Sequence, residues 1–232
     1  MSAPPLVAVA HGSRDPAAAL TGDALIAAVR RRRPGLTVTC AYLEHAAPGL
    51  PAAIAAVGTG AVVVPLLLTA AFHSSTDLPA QLTAADPQAV QADVLGPHTL
   101  LLMGLERRLT EVGVDAGDPN TAVVLAAAGS TDPAAQQAVR ELAATWARWG
   151  WWAVEAAFAS AAEPTVAEAV AALRARGAPK VAVASYLLAP GLFADRIRAA
   201  GGDVTSAPLG DAPEVAELVL ARYDAALTRQ PA

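Results

Sequence analysis

One cysteine, Cys40, stands in a chain of 232 residues, which excludes an intrachain disulfide and a Cys-x-x-Cys metal site. A lone thiol suits a reducing cytosol. Charge is sparse too, at 16% of residues with a net charge of −5. The one basic block, Arg30-Arg31-Arg32-Arg33, closes a predicted helix, where cations suit the macrodipole. It reads as a solvated helix end, and no nucleic-acid partner is expected. Aromatic residues make up only 4%. Trp146, Trp149, Trp151 and Trp152 nevertheless cluster where a predicted helix meets a strand, and they read as core or as a contact between halves. No charged segment precedes an apolar run at the N-terminus, so a signal peptide is not expected. The longest apolar run, Ala61 to Phe72, contains Pro65 and is too short to span a bilayer. The expectation is a cytoplasmic protein with no membrane partner.

What the chain does have is hydrophobic residues, at 54%, enough for one large core or for two of about 110 residues each. Leu6-Val7-Ala8-Val9-Ala10 is an apolar run of buried-strand length, and it stops at His11-Gly12-Ser13-Arg14-Asp15-Pro16. Asp15 stands where a helix N-cap belongs and Pro16 where the first helical residue belongs. The stretch therefore reads strand, tight turn, helix, with His11 at the carboxyl tip of the strand.

The pattern recurs. Ala122-Val123-Val124-Leu125-Ala126-Ala127-Ala128-Gly129-Ser130-Thr131-Asp132-Pro133 repeats the strand, the Gly-Ser turn and the Asp-Pro cap, at an offset of 129 − 12 = 117 residues. Ala128 takes the place of His11. A repeat that keeps the caps and loses the histidine assigns Asp-Pro to the fold and His11 to chemistry.

Each half reads as four strand–helix units. Strands are predicted near 6–10, 37–43, 61–68 and 89–95, then near 121–127, 152–158, 180–187 and 203–207. Helices are predicted near 16–32, 48–56, 78–84 and 99–111, then near 133–149, 165–176, 193–200 and 213–227. Residues 112–120, with Gly113, Gly117 and Pro119, read as a linker. The predicted architecture is α/β: two tandem flavodoxin-like parallel-sheet halves related by duplication, 1–115 and 120–232. Glu44 is matched by Ser160, and Pro48 by Pro164.

The chemistry-bearing residues lie far apart in sequence but at equivalent strand ends. His11 follows the first strand, Glu44-His45 the second and Phe72-His73 the third. A strand order of 2-1-3-4 puts the first strand between the second and third, each about 4.8 Å away. His11 and His73 would then face each other at the edge where open α/β sheets hold their ligands. Two imidazoles and a carboxylate suit a divalent first-row metal such as Co2+, Fe2+ or Ni2+, or serve as bases that take protons from a ligand. Glu44 either joins them or caps a helix. His45 reads as surface. His98 either caps a helix or reaches a ligand. Ser13 is a candidate anion binder, although its repetition as Ser130 favours a turn role. Arg14, replaced by Thr131, is a candidate clamp for a substrate carboxylate. A hydrolase with Ser13 as nucleophile lacks the Gly-x-Ser-x-Gly elbow.

Taken together, Ala10-His11-Gly12-Ser13-Arg14-Asp15-Pro16, Tyr42-Leu43-Glu44, the run from Val64 to His73 and Asp77-Leu78-Pro79 resemble the sirohydrochlorin chelatases of the CbiX/SirB type. The resemblance covers nearly the whole chain, as in the long, two-half members. It implies insertion of cobalt or iron into sirohydrochlorin, an acidic tetrapyrrole, with release of two protons and without a nucleotide, for sirohaem or cobalamin synthesis. It implies His11 and His73 as the metal-binding and proton-accepting pair, with Glu44 assisting. It also implies one active site, because the loop Ala189-Pro190-Gly191-Leu192-Phe193 resembles the degenerate half. Ser74-Ser75-Thr76 stand where members often carry a basic residue, which leaves Arg14 as the main nearby cation. The expected molecule is a monomer whose halves form the cleft. The rival from another class is a non-catalytic tetrapyrrole or metal carrier.

Overall fold

The computed structural model describes residues 3–69 and 78–229. The predicted segment carrying Phe72, His73 and Ser74-Ser75-Thr76 lies outside them.

Alternation along the chain is as the sequence implies. β1 (Leu6–Ala10), α1 (Pro16–Arg32), β2 (Val38–Tyr42), α2 (Leu50–Val57), β3 (Val62–Pro65), α3 (Leu78–Ala85), β4 (Val90–Gln91) and α4 (Thr99–Thr110) make the first half. β5 (Thr121–Ala127), α5 (Pro133–Trp146), β6 (Ala153–Phe158), α6 (Val166–Ala175), β7 (Lys180–Tyr186), α7 (Leu192–Arg198), β8 (Val204–Thr205) and α8 (Pro213–Thr228) make the second. All pairings are parallel, in the orders β2-β1-β3-β4 and β6-β5-β7-β8. This is the tandem parallel α/β architecture expected of the duplication. No helix among the described residues is long and apolar enough to cross a membrane.

Local chemistry sets the element ends. Asp15 Oδ1 accepts from the Ala17 N–H at 2.9 Å and Asp132 Oδ1 from the Ala134 N–H at 2.8 Å, each ahead of a proline in the first helical turn. β3 is shorter than the apolar run predicts and ends at Pro65, whose nitrogen has no hydrogen to donate. β4 and β8 are two-residue edge strands; short edges leave little unpaired backbone. The central strands carry continuous apolar residues because helices cover both faces, and Leu6, Val7 and Ala122 to Ala126 are all fully buried.

Packing divides the chain at other points than the sequence repeat does. One compact unit comprises 1–96 with 210–232, the other 97–209. The fourth helix of each half thus belongs with the sheet of the other half. α8 packs on α1 and β3, and side chains fasten it there. Arg33 forms a two-pronged ion pair with Asp224 at 2.5 and 2.7 Å, and the Tyr223 hydroxyl donates to the Pro4 carbonyl at 2.6 Å. Arg33 and Arg30, which donates to the Val38 carbonyl, are therefore structural anchors rather than a wholly solvated helix end. In the other unit α4 packs on β7, burying Leu101, Leu102, Leu105 and Leu109 completely, which form one helical stripe.

The tryptophans are mainly core. Trp146 is fully buried, its indole N–H donates to Glu106 at 3.1 Å, and Trp151 meets it edge-on with ring centroids 5.8 Å apart. Trp152 is half-buried beneath the Arg176 guanidinium. Cys40 is buried in β2. Burial pushes its thiol up, and burial likewise pushes the neighbouring Tyr42 hydroxyl up, so neither is an anionic nucleophile near neutral pH.

Trp146→Ala should lower stability by about 3–5 kcal/mol, since it removes a filled aromatic site and leaves Glu106 without its donor; denaturant titration measures this. Asp203 is held below the usual carboxylate range, first by the Val181 N–H and then by Arg174. A depressed carboxylate adds stability above its unfolded pKa and loses it as pH falls through the folded value. Melting temperature should therefore decline below about pH 4. Asp203→Asn should flatten that decline slightly, by less than about 1 kcal/mol for so exposed a group.

Candidate functional site

β1 is flanked by β2 and β3, and the ladder continues past the strand ends. The Leu43 N–H donates to the Ala10 carbonyl at 3.0 Å and the Glu44 N–H to the His11 carbonyl at 2.9 Å. On the other side the Leu66 N–H donates to the Val9 carbonyl at 2.7 Å. His11 and Glu44 thus stand at one sheet edge with their backbones bonded. The segment beginning at Leu66 leaves from the same edge and leads to His73, which is outside the described residues.

Gly12 sets the spacing between the first two exits. Its φ of +95° favours glycine, and a Cβ there would lie 1.8 Å from the Glu44 carbonyl oxygen. The next residues begin α1. Ser13 Oγ accepts from the Asp15 N–H at 3.1 Å, which is the turn role its repetition favours. Arg14 projects from the same turn and is exposed.

The structure gives Glu44 a neighbour that the sequence reading left on the surface. His45 Nε2 lies 3.4 Å from Glu44 Oε2, with the side chains 39% and 53% exposed. His45 takes φ +62°, and nothing in the Glu-His pair signals that left-handed turn. The carboxylate is therefore solvent-accessible, with an imidazole beside it. His98 is the N-cap of α4, its Nδ1 accepting from the Leu100 N–H at 3.1 Å.

The second sheet repeats the frame without the chemistry. Gly129 has φ +97°, and a Cβ there would lie 1.8 Å from the Ser160 carbonyl oxygen. Ser160 Oγ donates to the Ala128 carbonyl at 2.9 Å, Ala161 takes φ +56° where His45 takes +62°, and Ser130 Oγ accepts from the Asp132 N–H. Both Ala47-Pro48 and Glu163-Pro164 are cis. Ala128, Ser160 and Ala161 replace His11, Glu44 and His45. Among the described residues no three histidine, cysteine or acidic side chains gather in a metal-holding group.

Comparison with known proteins matches this repeat to a family. The CbiX model fits residues 5–112 and again 122–226. The chain belongs to the CbiX family. A curated relative, a sirohydrochlorin cobaltochelatase of Priestia megaterium, is 29% identical over 203 residues. That alignment takes in 82% of this chain but 65% of the relative, so the chain spans just under two thirds of its length. Among solved structures, SirB of Bacillus subtilis with Fe3+ superposes with a TM-score of 0.77 at 23% identity, covering 94% of this chain and 93% of that one. CbiX, the terminal enzyme for biosynthesis of siroheme in denitrifying bacteria, superposes with a TM-score of 0.72 at 24% identity, covering 96% and 99%. At these identities the structural likeness is one of fold.

The CbiX frame yields a stability test. Gly129→Ala forces a methyl group onto a carbonyl in a left-handed backbone and should cost about 3 kcal/mol or more. Thr131→Ala, on the exposed part of the same turn, should shift stability by no more than about 0.5 kcal/mol. Thermal melts of the two variants side by side make the comparison.

Proposed function

We propose that the protein is a sirohydrochlorin chelatase, a lyase that places Co2+ or Fe2+ in the macrocycle without ATP, and that its chemistry belongs to the edge of the first sheet. The observation that carries this is the backbone bond from the Glu44 N–H to the His11 carbonyl, at a glycine turn that recurs in the second sheet with Ala128 and Ser160 in their places. Family membership and the curated cobaltochelatase relative support the substrate class.

The reaction needs two things from the protein. The metal ion, a substrate, must be held by groups that can release it, and the two inner N–H protons of the macrocycle must find acceptors. In this reading neutral imidazole nitrogens of His11 and His73 and the Glu44 carboxylate do both. A metal takes imidazole only in its neutral form, so insertion slows at acid pH. Arg14 offers an exposed cation to a peripheral carboxylate of the ligand. The metal of choice, and with it the sirohaem or cobalamin route, is read from the relative rates with cobalt, iron and nickel.

The test is a spectroscopic insertion assay with sirohydrochlorin and each metal. His11→Ala and His73→Ala should each lower the rate by about 10²-fold or more while melting like the parent protein. Glu44→Gln should lower it less, since a neutral amide still accepts a hydrogen bond but no proton. A normally melting His73→Ala protein with the parent rate would end the two-histidine mechanism. Binding of sirohydrochlorin with no insertion of any metal would make the protein a carrier.

A further inference from the structure

Adjacent residues of an extended chain point to opposite sides, yet Glu44 and His45 bring their side chains together. His45 stands at φ +62°, and the Ala46 N–H donates to the Glu44 carbonyl across it at 2.8 Å, which closes a three-residue turn. The turn is not kept for the histidine, because Ala161 takes φ +56° at the equivalent place, with Ser160 before it. The fold supplies the turn twice, and in the first unit it carries an imidazole beside a carboxylate.

The distance between the two groups decides what the pair can do. His45 Nε2 and Glu44 Oε2 are 3.4 Å apart, outside the range of about 2.7–2.9 Å for a charge-assisted hydrogen bond. An ion pair between groups this exposed contributes little to stability. The spacing is that of two ligands on one metal. Bonds of about 2.0–2.2 Å to imidazole nitrogen and carboxylate oxygen, opened by a near-tetrahedral angle of about 110°, set the donor atoms about 3.3–3.6 Å apart. Both side chains are open to solvent, so water can fill the remaining positions. Among the described residues no third histidine, cysteine or acid joins the pair in a metal-holding group. Two protein ligands are fewer than hold a resident ion, and such a grip suits exchange rather than storage.

We propose that His45 is a metal ligand, and that with Glu44 it forms a solvent-facing two-residue site that takes a divalent first-row ion from solution. The ion's onward path rests on the chelatase reading. The Glu44 N–H is bonded to the His11 carbonyl at 2.9 Å, so an ion held by the pair stands at the same sheet edge as His11. His45 then sets the affinity for the metal substrate and leaves the macrocycle and the chemical step alone. Its removal raises the KM for metal and keeps kcat.

The experiment uses the full chain, with Co2+ alone as the probe at one fixed pH. Isothermal titration of the His11→Ala/His73→Ala protein isolates the pair and should show one Co2+ bound. Adding His45→Ala should weaken that binding by about tenfold or more; Ala161 shows that alanine occupies this turn. His45→Gln, which donates a hydrogen bond but ligates poorly, should bind Co2+ no better than His45→Ala. His45→Asp should recover part of the affinity and move the preference toward Mn2+, since carboxylate suits manganese better than imidazole does. Co2+ affinity unchanged by His45→Ala, or restored in full by His45→Gln, would overturn the site, as would a His11→Ala/His73→Ala protein that melts normally and binds no Co2+. If that protein fails to fold, insertion rates of the otherwise unchanged chain decide. There His45→Ala should raise the cobalt KM by about tenfold, with kcat and the sirohydrochlorin KM within about twofold of the parent, and an unchanged cobalt KM would overturn the site. A parent protein that binds Co2+ at the pair and inserts none defeats the chelatase reading alone.

Discussion

A Cβ at Gly12 would lie where the Glu44 carbonyl oxygen sits, and the carboxyl edge of the first sheet depends on that contact. It lets the exit of β1 lie directly against the exit of β2, so that the Glu44 N–H reaches the His11 carbonyl. Without it the turn into α1 would swing away, Asp15 would lose its place over the helix N-terminus, and the backbones of two residues 33 positions apart (44 − 11) would no longer be bonded. The contact recurs at Gly129 against the Ser160 carbonyl, where alanine and serine stand in place of His11 and Glu44. The constraint thus belongs to the fold, which requires it in both units.

The two sheets then differ in what they present at the same frame. The first presents His11, Glu44 and His45, polar groups open to solvent. The second presents Ala128 and a serine whose hydroxyl turns back onto the Ala128 carbonyl. At equivalent positions one edge carries two imidazoles and a carboxylate, and the other two methyl groups and a hydroxyl.

Much of this was written in local sequence. Asp-Pro caps, continuous apolar strands and the Gly-Ser turns predict the elements to within a few residues, because capping and burial on both faces act over a few positions. The strand order follows too, since short right-handed crossovers leave few alternatives. The candidate site was proposed at His11 and Glu44 because their equivalents, Ala128 and Ser160, keep the turn and change the side chain. His45 was not legible, since a left-handed φ of +62° depends on the loop that closes back through the Tyr42 N–H to the Pro48 carbonyl. Arg33 was read as a solvated end because its partner, Asp224, is 191 residues away.

By itself, then, the sequence determined the alternation of strands and helices, the duplication and the residues able to do chemistry. Tertiary structure decided which sheet each fourth helix covers, and it placed α4 with β7 and α8 with β3. An apolar helical stripe states that it must be buried but not against what. Pairwise anchors such as Arg33 with Asp224 and Tyr223 with Pro4 make that choice only when distant segments meet, and no local pattern encodes a partner.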